Sequence, residues 1–146
     1  MIDPIVVKVK RLEKQAQLPI QARMGDAAFD LFSAVEYAIE PGESYGVKTG
    51  IALEIPVGYE GQVRPRSGLA LSNGITVTNA PGTIDSGYRG EVRVILHNLG
   101  KKAFQVRPGM RIAQIAIRPV PDVRFVEVEE LAESERGGGG FGSTGT

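Results

Sequence analysis

Apolar and polar residues alternate along this chain in short runs, and residues 91–98 set the pattern. Val92, Val94 and Leu96 fall on one face while Glu91, Arg93 and His97 fall on the other, which is the period-two signature of a half-buried strand. Similar β-type runs occupy 5–10, 28–33, 45–48, 51–55, 60–64, 75–78, 104–107, 111–118 and 123–128. Pro41-Gly42, Pro56-Val57-Gly58, Pro81-Gly82, Ser86-Gly87 and Pro108-Gly109 punctuate them as turn signals. Many short strands at regular spacing predict an all-β sandwich, barrel or jelly roll. Helix is scarce. The pattern allows one or two turns over 67–73, with Ser67 as N-cap, and a weaker helical stretch over 129–135.

Length and composition narrow this picture. A chain of 146 residues suits one domain around one core, and no internal repeat divides it. Lys plus Arg and Asp plus Glu each total 17, so the net charge is zero. The chain therefore lacks the broad positive field that drives sequence-independent binding to nucleic acid, and any phosphate chemistry is expected at a local site on a small molecule. There is no cysteine and one histidine, His97, which excludes disulfide scaffolds, Cys-based sites and a His-built zinc site. Met1-Ile2-Asp3-Pro4-Ile5 has neither the basic region nor the long apolar run of a signal peptide. Apolar stretches such as Ile115-Ala116-Ile117 are too short to cross a bilayer. The expected setting is cytoplasmic, with no membrane partner.

The tail over 136–146 differs in kind from the body over 1–135. Arg136 opens it, Phe141 stands in its middle, and glycine dominates the rest. Fixing so many glycines costs much entropy. On this segment alone a flexible terminus is the simpler reading. The functional alternative is a flap that brings Arg136 and backbone N–H groups to phosphates and Phe141 to a flat ring. Gly137, Gly139 and Gly142 also satisfy G-x-G-x-x-G, but they open no helix within a βαβ unit, so the dinucleotide reading is discarded.

Three further segments carry candidate chemistry. In Arg64-Pro65-Arg66-Ser67-Gly68-Leu69-Ala70 an arginine, a hydroxyl and a glycine open the expected helix, where free N–H groups favour an anion. A Ser-capped turn beside a solvated arginine is the plainer reading. In the stretch from Asn79 to Gly90, dense Gly and Pro predict a sharp hairpin with Asp85 beside its tip. Asp85 is a candidate general base and Tyr88 a ring to pack against a sugar, although turn carboxylates usually just satisfy local backbone. Asp30 lies in an apolar strand and needs a partner, because an unpaired buried charge is costly. Gln114 poses the same question more mildly. Walker A, G-x-S-x-G and H-E-x-x-H sequences are absent, and His97 is expected to be a surface or packing residue.

Singly these signals are modest, but their order is specific. Asp30 in AAFDLFSA, then PRSGLA, NAPGTIDSGYRGEV, PGMRIAQ and RGGGGFGSTG resemble the five ordered motifs of the trimeric dUTPases over residues 25–145. The resemblance implies an antiparallel β jelly roll and a homotrimer with active sites at subunit interfaces. It also implies Mg²⁺-dependent hydrolysis of dUTP to dUMP and pyrophosphate, which limits uracil incorporation into DNA and supplies dUMP for dTMP synthesis. On the same basis Asp85 would activate the attacking water and Tyr88 would stack under the deoxyribose. Asn79, Gly82, Thr83 and Ile84 would read the uracil edge. Arg66, Ser67, Gly68 and Gln114 would hold the phosphates, and Asp30 would support Mg²⁺ through its water shell. Arg136, Phe141, Gly142, Ser143 and Thr144 would close the site from the tail, which favours the functional reading of that segment.

Two positions depart from the usual motifs: Ala27-Ala28 stands where Ala-Gly is common, and Met110 where Asp is common. The implied alternatives are a dCTP deaminase of the same fold and a nucleotide-sensing protein without turnover. The Ile-Asp-Ser-Gly-Tyr segment and the complete Gly-Phe-Gly-Ser-Thr tail count against the first, and intact Asp85 and Arg136 against the second.

Overall fold

Valine, isoleucine and leucine at alternate positions decide how the strands stack in the computed structural model, which describes residues 3–145. Met1, Ile2 and Thr146 lie outside the described residues, and with them the first part of the N-terminal reading and the end of the tail. The strands are β1 (Lys8–Arg11), β2 (Phe29–Phe32), β3 (Tyr37–Ile39), β4 (Ser44–Glu54), β5 (Tyr59–Arg64), β6 (Ile75–Val77), β7 (Gly82–Ile84), β8 (Glu91–Asn98), β9 (Phe104–Val106) and β10 (Arg111–Pro119). One helix, α1 (Ser67–Asn73), follows β5. Two four-stranded sheets run in the orders β1-β4-β8-β6 and β2-β10-β5-β7, with a small β3-β9 pair beside them. All these pairings are antiparallel. The architecture is the expected antiparallel jelly roll.

The core lies between the inward faces of the two sheets. Val92, Val94 and Leu96 of β8 are buried against Val47, Ile51, Leu31, Ile112 and Ile115, as their alternation requires. With Ser33 and Thr49, Asn98 is one of three buried polar residues among those described. Its Nδ2 donates to Ile39 O at 2.9 Å and Lys102 O at 2.8 Å, and its Oδ1 accepts from Gly100 N at 2.8 Å, so every bond closes a loop onto the sheet. On the rim, Tyr37 stacks on Tyr45 with ring centroids 3.6 Å apart. Tyr37 also donates to Glu43, and that hydrogen bond holds the Glu43 carboxyl below its usual range.

Several expectations change. The runs at 45–48 and 51–55 are one strand, β4, whose register against β8 shifts between Lys48 and Ala52. Inside it Gly50 adopts φ 72°, which is where a single strand can bend without ending. The three-residue strands β3 and β7 are not among the expected runs, whereas the equally short β6 and β9 fall within the expected 75–78 and 104–107. Ser67 is not the N-cap of α1. Arg66 takes that position with φ −82° and ψ 127°, and no side chain caps the helix. Gly74 ends α1 in the left-handed region at φ 69°, and a methyl there would lie 2.8 Å from Gly100 N. Glycine is thus required twice over at this position.

The largest differences are at 123–128 and 129–135, which form neither the expected strand nor the expected helix. Val123, Phe125, Val126, Val128 and Leu131 are all exposed. A strand needs a ladder partner, and within this one chain none lies beside the segment among the described residues.

Candidate functional site

The sheet β2-β10-β5-β7 carries the polar residues singled out in the sequence. Asp30 on β2, Gln114 on β10 and Arg64 on β5 are consecutive cross-strand partners, so their side chains share one face. Asp30 has only 12% of its side chain exposed and takes two arginines: Arg111 Nε at 3.5 Å from Oδ2 and Arg66 Nε at 3.9 Å from Oδ1. Both distances are ion pairs rather than hydrogen bonds, which leaves carboxylate lone pairs for another donor. Arg66 Nη1 donates to Arg111 O at 3.3 Å, tying the entrance of α1 to the start of β10. Ser67 and Gly68 are the first two residues of α1, and their N–H groups precede the helical ladder. Arg66, Arg111 and Gln114 thus surround one carboxylate, and Ser67 and Gly68 follow Arg66 directly at the start of α1.

Arg111 was not among the residues singled out for chemistry. Its signal was its place within PGMRIAQ, three residues before Gln114. Only the β2–β10 pairing reveals that it flanks Asp30.

A second group lies at the opposite edge of the same sheet. Gly82, Thr83 and Ile84 form β7, Asp85 follows directly, and a turn at Ser86-Gly87 returns the chain to Tyr88. Asp85 is exposed. Tyr88 donates its hydroxyl to Glu91 O at 2.9 Å, and its N–H donates to Asp85 O at 3.1 Å, so backbone fixes the ring and the turn together. Thr83, Ile84, Asp85, Tyr88, Glu91, Val92 and Arg93 line a recess of about 220 Å³. Asn79 packs beneath Gly82, where a methyl would lie 3.4 Å from Nδ2 and 3.3 Å from Val63 Cβ. The absence of a side chain there keeps the loop backbone close to Asn79.

The two carboxylates, Asp30 and Asp85, do not meet in one chain. β2 and β7 are opposite edges of the sheet, three strand spacings or about 14 Å apart. The register Ile117↔Gly61↔Ile84 against Gln114↔Asp30 adds three residues along the strands, and Asp85 a fourth, or about 13 Å more. Asp85 and Asp30 are therefore about 19 Å apart between Cα atoms.

The tail forms a third, separate group. Arg136 Nε donates to Gly139 O at 2.6 Å, Ser143 N donates to Gly140 O at 3.0 Å and Gly145 N to Gly142 O at 2.9 Å. The recess it makes is lined only by 135, 136 and 139–144. Phe141 is fully exposed at φ 51°. In this chain Arg136, Phe141, Gly142, Ser143 and Thr144 thus stand together but apart from the other two groups.

His97 meets a serine after all: its Nδ1 lies 2.8 Å from Ser44 Oγ, which also lies 2.9 Å from Thr78 Oγ1. These residues belong to the other sheet, and no carboxylate lies within ion-pair distance of His97 among the described residues. No Ser–His–acid relay forms. Among the described residues, no helix is long and apolar enough to cross a membrane.

The fold is an all-β jelly roll with arginines around Asp30 at one sheet edge and the carboxylate-bearing Asp85 loop at the other. Comparison with known proteins narrows that description. The dUTPase family model matches residues 14–145. The chain is 56% identical over 138 residues to the deoxyuridine 5'-triphosphate nucleotidohydrolase of Clostridium kluyveri, covering 94% of this chain and 96% of that protein. It is 53% identical over 140 residues to that of Trichodesmium erythraeum, covering 96% and 99%. The Staphylococcus bacteriophage 80alpha dUTPase with dUPNHPP superposes with a TM-score of 0.90 at 31% identity, over 97% of this chain and 99% of that one. The dUTPase of S. aureus phage phi11, described with a structural Mg(II) ion, gives 0.80 at 26% identity over 86% and 97%. This chain belongs to the dUTPase family.

Proposed function

We infer that this chain hydrolyses dUTP to dUMP and pyrophosphate, and that it does so as a homotrimer. The observation that carries the reading is the separation of an intact Asp85 loop from an intact arginine cluster on one sheet. With Asp30 and Asp85 about 19 Å apart between Cα atoms in one chain, another copy can bring its Asp85 loop to this copy's arginine cluster. The exposed 123–128 segment supports the same assembly, since its exposed Val123, Phe125, Val126 and Val128 and unpaired backbone call for a second chain.

In the assembled site Arg66, Ser67, Gly68, Arg111 and Gln114 hold the phosphates. Asp85 of a neighbouring copy orients a water and takes its proton as the water oxygen attacks the α-phosphorus. The bond from that phosphorus to the α–β bridging oxygen breaks, and pyrophosphate leaves with the bonding electrons. Tyr88 packs against the deoxyribose. The backbone around Gly82, Thr83 and Ile84, with Asn79, meets the uracil edge. Cytosine reverses the donor and acceptor order there and would leave buried polar groups unpaired. The body over 1–135 carries this chemistry. The tail from 136 onward closes it, with Arg136, Ser143 and Thr144 on the phosphates and Phe141, at Gly142, over the base.

The donor set fits Mg²⁺ of a particular kind. No group of three or more His, Cys, Asp or Glu residues is arranged to hold a metal among the described residues, so the triphosphate supplies most oxygens and Asp30 is the carboxylate at hand for the ion's water shell. When bound, the ion would gather the phosphate oxygens and offset charge on the leaving pyrophosphate. The reaction is placed in the cytoplasm, with the nucleotide pool.

Purified protein with Mg²⁺ and, separately, dUTP, dCTP, dTTP and UTP tests this reading by ion-exchange separation of products. Selective conversion of dUTP to dUMP and pyrophosphate is expected. Ammonia release from dCTP would transfer the chain to the deaminase reading, and binding without turnover to the nucleotide sensor.

A further inference from the structure

One cation on the site face has no assigned work. Arg64 is half-buried and stands directly opposite Gln114, one strand beyond it from Asp30. Its Nη2 donates to Gln62 Oε1 at 2.8 Å. Gln62 sits two residues earlier on β5 and shares the face. A guanidinium has five N–H donors, and this bond uses one of them. Among the described residues no carboxylate lies within ion-pair distance of Arg64, although Arg66 and Arg111 both reach Asp30.

The local charge is lopsided for this reason. Arg64, Arg66 and Arg111 face a single Asp30, an excess of two positive charges (three minus one) in a chain whose Lys plus Arg equals its Asp plus Glu at 17. Arg64 and Arg66 are also two residues apart in extended backbone, with Arg66 at φ −82° and ψ 127°, so both project to the same side. Like charges so placed repel, and partial burial raises the cost. A polyanion between them removes both penalties.

We propose that Arg64 is an additional ligand of the substrate triphosphate, with Gln62 as the positioning residue that aims its guanidinium. The inference rests on the dUTP reading above and adds a residue to it. Gln62 is neutral, so it orients the arginine without cancelling the charge. Losing one charge-assisted contact of this kind costs about tenfold in affinity.

The test uses the full-length protein and two variants, Arg64→Gln and Gln62→Met, with dUTP as substrate and inorganic triphosphate as competitor. Arg64→Gln should raise KM for dUTP about tenfold with kcat within about twofold, and weaken inhibition by inorganic triphosphate in parallel. Gln62→Met should move both quantities the same way but less. An unchanged KM would overturn the proposal. So would a raised KM with unaltered triphosphate inhibition, or loss of the trimer by light scattering, which would make Arg64 an interface residue. Calorimetric binding of inorganic triphosphate to the unmodified protein and to Arg64→Gln reads Arg64 without turnover. A chain inactive on dUTP would therefore sink the functional reading while this comparison still decides the arginine.

Discussion

Tyr88 folds back over Gly90 so closely that a methyl on Gly90 would lie 2.5 Å from the phenol oxygen and 2.7 Å from Cζ. The ring is held in that place by its hydrogen bond to Glu91 O. Gly90 is therefore the residue that lets the Tyr88 ring, proposed above to pack against the sugar, take its position. The clash falls on the far end of a side chain rather than on backbone, so Gly90→Ala should leave the fold intact and displace the ring. Preference for dUTP over UTP, measured as a ratio of kcat/KM values, should fall about tenfold, while the unfolding midpoint changes little.

Among the described residues Asp85, just after β7, has no ion-pair partner, so its replacement disturbs little else. Asp85→Asn should keep nucleotide binding, measured by calorimetry, and lower kcat by about a hundred to ten thousandfold. Undiminished turnover would remove Asp85 from the mechanism.

The separation of Asp30 from Asp85 makes complementation decisive. Asp85→Asn and Arg66→Gln should each be nearly inactive alone. Unfolded and refolded together, they should form mixed trimers in which about a quarter of sites pair an intact Asp85 loop with an intact Arg66. Activity should return in that mixture. A site housed within one chain would leave it dead.

Apart from Gly137 N on Ser134, the tail's hydrogen bonds among the described residues run within the tail itself, through Arg136, Gly139 and Ser143, so the sheets of the body do not depend on it for stability. Deleting 136–146 should preserve the unfolding midpoint and the trimer while kcat/KM drops about a hundredfold or more. Loss of folding on truncation would make the tail structural.

Asn98 offers a stability test away from the site. Asn98→Ala strips partners from Ile39 O, Lys102 O and Gly100 N. With that much buried backbone left unpaired, unfolding free energy should fall by at least about 3 kcal/mol. Thermal or denaturant unfolding would measure it.

Much of this molecule could be read from the chain alone. The alternation in 91–98 placed β8 with both ends correct, because a half-buried strand writes its period into the sequence. The run 67–73 gave α1 with the same ends, since Pro65 precedes it and Gly74 can take the left-handed turn that stops it. The motif residues were legible because their chemistry lies in residue type and order. What escaped depended on neighbours. Whether 123–128 becomes a strand is decided by a ladder partner, and one chain supplies none. That Asp30 sits between Arg66 and Arg111, and that Arg64 lines up with Gln114, follows from cross-strand register. Register is fixed only when distant segments pair to bury their apolar faces. The sequence by itself determined residue type and order, and with them the family's motifs; tertiary structure alone decided which of those residues one chain brings together, because register is set by the pairing of distant strands.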